Sequence, residues 1–175
     1  MRAALVIIDV QQGMFSLPDM PPHDGVETVR RIRSLLDKAR AAQAPIFFVQ
    51  HDGGADHPLA GDGPGFRFHA DLTPLPGESV TVKTRCNAFH GTTLEAQLMN
   101  RCFETLIVCG MQSQYCVDTF VRAAAERGFA LTLVGDCHTT FDTPSLSAAQ
   151  IIAHHNQTLS GSFAAVMPAS EIDFA

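Results

Sequence analysis

The chain lacks several features that would have settled its class early. No apolar run approaches the roughly 18 residues of a membrane span, so no membrane partner is expected. There is no block of basic residues: 12 Lys and Arg stand against 18 Asp and Glu, for a net charge of −6. Nucleic acid is therefore not an expected partner. The five cysteines (Cys86, Cys102, Cys109, Cys116 and Cys137) are odd in number, and none stands in a CxxC pair. That excludes a paired disulfide framework and points to free thiols in a reducing cytoplasm. The apolar run 3–8 ends at Asp9 without a small-residue cleavage site. It reads as a first strand and not as a signal peptide. There is no internal repeat and no linker, so residues 1–175 are expected to form one domain.

What is present is an ordinary globular composition, 46% hydrophobic and 17% charged. At this size a fold buries about 70% of its unfolded surface and needs no metal or disulfide to hold it. Near-continuous apolar runs at 3–8, 46–49, 105–109 and 129–134 have the composition of strands covered on both faces. Residues 79–83 and 163–166 read as shorter strands. Helical periodicity marks 25–42, capped by Asp24 with Val26, Val29, Ile32, Leu35 and Leu36 inward. It also marks 93–101 with Leu94, Leu98 and Met99 inward, and 116–127 with Val117, Phe120, Val121 and Ala124 inward. A fourth helix is read over 144–159, with Pro144 in its first turn. The segments 16–23 and 53–77 are loops, the second long enough to be functional.

This alternation predicts an α/β fold, a three-layer α/β/α sandwich on a roughly six-stranded parallel sheet of Rossmann-like form. Right-handed crossovers put every strand's C-terminal end on one edge. Asp9, His51, Lys83, residues 112–116 and Asp136 would then gather there, where such folds bind ligands. Cys116 falls where a strand turns into a helix, and a helix start favours a thiolate. Lys83 would favour it further, and Asp9 would accept the thiol proton. Taken singly, each has a plainer role: Cys116 as a small buried residue, Asp9 as a turn residue, Lys83 as a solvated strand end. Cys102 and Cys109 sit among apolar residues and read as core thiols.

Four motifs carry a family resemblance. They are Ile7-Ile8-Asp9-Val10-Gln11, Val82-Lys83-Thr84-Arg85-Cys86-Asn87-Ala88-Phe89, the stretch 108–117 with its Gly110-x-x-Ser113-x-x-Cys116-Val117 spacing, and Gly135-Asp136-Cys137-His138. Together they resemble the isochorismatase-like cysteine hydrolases, which include nicotinamidases, N-carbamoylsarcosine amidohydrolase and related C–N hydrolases. The resemblance implies Cys116 as nucleophile, Asp9 as general base and then acid, and Lys83 supporting both electrostatically. It also implies a non-proline cis peptide at Met111–Gln112, an oxyanion hole from the N–H groups of Gln112 and Cys116, and a dimer or tetramer.

The resulting expectation is a cytoplasmic hydrolase that cleaves an amide, ureide or carbamoyl C–N bond of a small molecule through a thioester. Gln11, Phe15, His51, Phe89, Tyr115 and His138 would bind substrate, with Phe141 as a further wall. Arg85 would meet either a substrate carboxylate or a surface acid. No cofactor is expected. Nicotinamidases hold a metal on Asp-x-His after the second strand; here His51 and Gly53 stand at those positions, and a metal at His51, Asp52, His57 or His69 is not expected. Two alternatives stay open: isochorismatase-type vinyl-ether hydrolysis on the same fold, and a thiol redox or sensor protein pairing Cys116 with Cys86 or Cys137. The substrate itself has no readable code in the loops.

Overall fold

A computed structural model describes residues 3–17, 19–100 and 103–174. Six strands form one sheet: β1 (Ala3–Ile8), β2 (Ile46–His51), β3 (Ser79–Lys83), β4 (Thr105–Met111), β5 (Leu131–Thr139) and β6 (Ala165–Met167). Their order is β3-β2-β1-β4-β5-β6, and every pairing is parallel. The chain winds outward from β1 to β3, then returns to pair β4 against the other side of β1. A crevice opens at that reversal, between the C-terminal ends of β1 and β4.

Among the described residues five α-helices accompany the sheet: α1 (Gln12–Phe15), α2 (Gly25–Ala41), α3 (Leu94–Met99), α4 (Asp118–Ala125) and α5 (Ala148–Leu159). Side chains of β1 alternate between two cores. Leu5 and Ile7 pack with Phe48 against Ile32, Leu35 and Leu36 of α2. Val6 and Ile8 pack on the other face with Phe47, Val49 and the α4 residues Phe120 and Val121. Helices therefore cover both faces, which is why β1 reads as unbroken apolar sequence. No helix among the described residues is long and apolar enough to cross a membrane.

The predicted architecture holds, and several local expectations do not. Asp24 precedes α2 in a left-handed conformation (φ 46°), and its side chain makes no capping bond. Val26 is exposed, because Gly25 and Thr28 occupy the inward side of the first turn. Met99 is exposed at the end of α3, and Arg101 and Cys102 lie outside the described residues. The last long helix begins at Ala148 and not at Pro144. Ser147 and Gln150 form a capping box, the side chain of each accepting the backbone N–H of the other.

The strand expected to stop at Val134 runs on to Thr139. Its register against β4 shifts between Val108 and Gly110, after which Gly110 pairs with His138. Gly110 has φ 125°, and a Cβ there would strike the Ile8 backbone. Only glycine lets β4 bend past β1 at this point. Asp136 consequently sits inside β5 and not at the ligand edge. Its carboxylate accepts the Ala169 N–H at 2.8 Å and faces Arg31 at 3.8 Å.

Candidate active site

Three strand ends converge on one buried cluster. Asp9 follows β1 with φ 50°, its backbone N–H bonded to the Val49 carbonyl at 3.0 Å. Lys83 closes β3 and is in register with His51 at the end of β2. β2 lies between β1 and β3, so the Lys83 side chain reaches across the strand end to Asp9. Cys116 sits in a π-helical turn, Ser113–Val117, between β4 and α4.

Lys83 Nζ is 2.6 Å from Asp9 Oδ2, 3.2 Å from Cys116 Sγ and 3.2 Å from His51 Nδ1. An ammonium has three N–H donors and no acceptor, so each donor has one partner. His51 Nδ1 must then accept, which places its ring proton on Nε2. The Asp9 and Lys83 side chains are fully buried. Asp9 Oδ1 is buried and has no hydrogen-bond partner among the described residues.

The electrostatics follow from burial. Burial raises the Asp9 carboxyl above the usual range, against the pull of Lys83 and Cys116. Burial works against the Lys83 charge too, but Asp9 and Cys116 together hold its pKa above the ordinary value. The Cys116 thiol is also pushed up, by burial and by the Asp9 charge, with Lys83 opposing. This corrects the expectation of a helix-start thiolate. α4 begins only at Asp118, after the π turn, and Cys116 is buried. Burial thus favours the thiol over the thiolate at Cys116. Burial, aided by the Lys83 charge and opposed by Asp52, lowers His51 to about 4, so its ring is neutral at pH 7.

The Met111–Gln112 peptide is cis. The Gln112 carbonyl accepts the N–H groups of Tyr115 (3.1 Å) and Val117 (3.2 Å), closing the turn that carries Cys116. A cavity of about 300 Å³ opens beside this turn. Met14, Leu17, Met20, Leu59 and Phe141 give it apolar walls; His57, Gln112, Gln114, Tyr115 and Asp142 give it polar edges.

The family model for the Isochorismatase domain matches residues 3–169. The chain belongs to the isochorismatase family. An uncharacterised isochorismatase family protein of Bacillus subtilis, YddQ, is 35% identical over 143 residues, covering 80% of this chain and 79% of that protein. Streptothricin hydrolase of Streptomyces noursei is 36% identical over 142 residues, covering 81% of this chain but 56% of that protein. The chain thus matches little more than half of that relative's length. The crystal structure of an isochorismatase from Pseudomonas putida KT2440 superposes with a TM-score of 0.92 at 35% identity, over 98% of this chain and 90% of that one.

The residues read from the sequence in this isochorismatase-family hydrolase divide sharply. Asp9, Lys83 and Cys116 meet, with His51 beside them. Tyr115 and Phe141 line the cavity. His51 does not line it, nor do Asp9, Lys83 and Cys116, and the other four expected substrate contacts are also absent from its walls. Gln11 is buried as a clamp: its amide nitrogen donates to the carbonyls of His51 and Phe66, and its oxygen accepts the His51 N–H. Phe15 turns to His69, ring to ring at 4.8 Å, and its neighbour Met14 takes the wall instead. Phe89 stacks on Phe120 in the core, 5.1 Å between centroids. His138 is buried behind the turn, bonded to Ser113 and Asn156. Arg85 is exposed and away from the cavity.

The histidines and aspartate of the long loop serve the backbone. Asp52 accepts the N–H groups of Gly54 and Gly61, His57 that of Leu59, and His69 that of Asp71. Among the described residues no group of three or more His, Cys, Asp or Glu is placed to hold a metal ion. Cys137 packs with Cys109 in the core on the α2 side, whereas Cys116 belongs to the opposite core. The sheet separates Cys116 from Cys137, which removes the structural basis for pairing them. Cys86 is exposed while Cys116 is buried. Sequence reasoning did not single out Met14, Leu17, Met20, His57 and Leu59 as cavity walls. They come from loops and from a four-residue helix, where neither period applies.

Proposed function

We propose that this hydrolase cleaves a C–N bond of a small amide, ureide or carbamoyl compound, with Cys116 as nucleophile. The observation that carries the reading is the buried contact of Asp9, Lys83 and Cys116 at the sheet's switch point. Burial raises the Asp9 carboxyl, and so its affinity for a proton, in contact with the buried thiol that it would deprotonate. Asp9 Oδ1 is the open acceptor.

In the proposed sequence Asp9 takes the Cys116 proton as Sγ bonds the substrate carbonyl carbon, and the C=O electron pair moves to oxygen. The N–H groups of Gln112 and Cys116 hold that oxyanion. Collapse expels the amine, which leaves with the proton from Asp9, and a thioester remains. Asp9 then removes a proton from water as the water oxygen attacks. The acid departs, and the proton returns to Sγ. Lys83 stays an ammonium throughout: its three donors are engaged, so it stabilises charge and shuttles nothing.

The cavity narrows the substrate class. Among the described residues that line it there is no Lys or Arg. A carboxylate-rich substrate such as isochorismate would have no cationic partner there, which favours an uncharged or cationic amide with an apolar body. A thiol mechanism also suits a reducing compartment such as the cytoplasm.

An ammonia- and amine-release screen over uncharged and cationic amides, ureides and carbamoyl compounds tests the reading, with Cys116→Ala and Asp9→Asn as controls. Release that both variants abolish is the expected result. Release that persists in Cys116→Ala, or hydrolysis confined to vinyl ethers, would overturn it.

A further inference from the structure

A second hydrogen-bond chain runs behind the Cys116 turn, and the proposed chemistry does not use it. Ser113 opens the turn and is fully buried. Its Oγ is 2.7 Å from His138 Nδ1 on β5. His138 Nε2 is 2.8 Å from Asn156 Oδ1 on α5. Asn156 Nδ2 donates to the Gly135 carbonyl at 2.9 Å.

This last bond sets the direction of the whole chain. A carbonyl only accepts, so the Asn156 nitrogen faces Gly135 and its oxygen faces His138. His138 Nε2 must therefore carry the ring proton. Burial disfavours the cationic ring, which leaves Nδ1 as an acceptor, and the Ser113 hydroxyl donates to it. Each buried polar atom has one partner of the correct kind, the condition under which such a network rigidifies its surroundings. The same turn is tied on its other side, where Thr140 Oγ1 donates to Gln112 Oε1 at 3.2 Å.

We propose that Ser113, His138 and Asn156 are positioning residues that fix the turn 112–116 so that its N–H groups meet the oxyanion. The proposal rests on the nucleophilic reading of Cys116. His138 is thereby reassigned from substrate contact to support of the turn. The Ser113-x-x-Cys116 spacing of this chain also gains a reason. A hydroxyl at that position can donate backwards into β5, while a methyl group would leave the His138 nitrogen buried and unpartnered.

Two reagents separate this role from a general structural one. Acylation of Cys116 by p-nitrophenyl acetate passes through a tetrahedral oxyanion. Alkylation by iodoacetamide displaces iodide and makes no oxyanion. Ser113→Ala and His138→Ala should each slow acetylation by about tenfold to a hundredfold, the effect of misaligned oxyanion donors, while alkylation stays within about twofold. The double variant should be no slower than either single one, because one chain is broken once. Ser113→Thr should restore the acetylation rate. Should Ser113→Ala fail to fold, Asn156→Ala removes the last link with hydroxyl and ring in place, and the same ratio is read.

Equal slowing of both reagents, or of neither, would overturn the positioning role. Cys116→Ala is the separate control: acetylation that survives it defeats the nucleophile itself, whatever the Ser113 result.

Discussion

The two halves of the sheet hold the site by different physics. The β3-β2-β1 half supplies Asp9, Lys83 and His51, charged or titratable groups locked together at 2.6–3.2 Å, the first two fully buried and the third half-buried. The β4-β5 half supplies the turn 112–116, held by neutral hydrogen bonds from Ser113, Gln112, His138 and Thr140. Charges set proton affinities over several ångströms; dipoles set positions within a fraction of one. In the proposed chemistry nucleophile activation belongs to the first half and geometric aim to the second, and Cys116 Sγ is the atom on which both act.

That division is open to attack. The largest effect is expected at the shared point: Cys116→Ala should lower turnover by about 10³-fold or more, measured on any substrate the release screen yields. Next comes Lys83→Met, which leaves the Asp9 carboxyl buried without its counter-charge. Breaking one side of a buried pair costs about 3–5 kcal/mol, read from the urea midpoint. A midpoint close to the parent's would mean that Asp9 is protonated in the resting protein and that the pair is no ion pair.

Gln11→Ala should cost about 1–3 kcal/mol, since it leaves the His51 N–H and carbonyl without their side-chain partner, while the Phe66 carbonyl keeps Gln50 at 2.6 Å. Its effect should fall on stability and leave the acetylation-to-alkylation ratio unchanged. A shift of that ratio would place Gln11 in the site after all.

Two smaller effects concern pH. The Cys116 thiol is raised, so iodoacetamide labelling should climb through the alkaline range with no plateau near neutrality. A neutral plateau would restore the resting thiolate that the helix start suggested. His51 is depressed to about 4 from an ordinary 6.5. The folded protein then binds fewer protons than the unfolded chain between those values. Its contribution is present above 6.5 and is lost as pH falls towards 4. His51→Gln should flatten the stability profile across that window, and an unchanged slope would assign the acid sensitivity to other groups.

Much of this was legible in the residues. The strand-end positions of Asp9 and Lys83 follow from alternation and handedness alone, because parallel crossovers leave no other edge for them. Asp136 shows where that logic fails. Its strand was read as ending at Val134, but the register shift at Gly110 carries β5 past it, and the side chain turns to Arg31 on the α2 side. Phe89 and His138 show a second failure. An aromatic or imidazole near a motif reads equally well as a wall or as core, and only packing separates the two.

By itself, then, the sequence determined the doubly wound parallel sheet and the trio of Asp9, Lys83 and Cys116. Apolar runs and strand ends are encoded locally, and chirality fixes how they assemble. The tertiary structure decided the burial of Cys116, the cavity's walls and the supporting chain through His138. Those depend on burial and on distances between segments far apart in sequence, which no local pattern records.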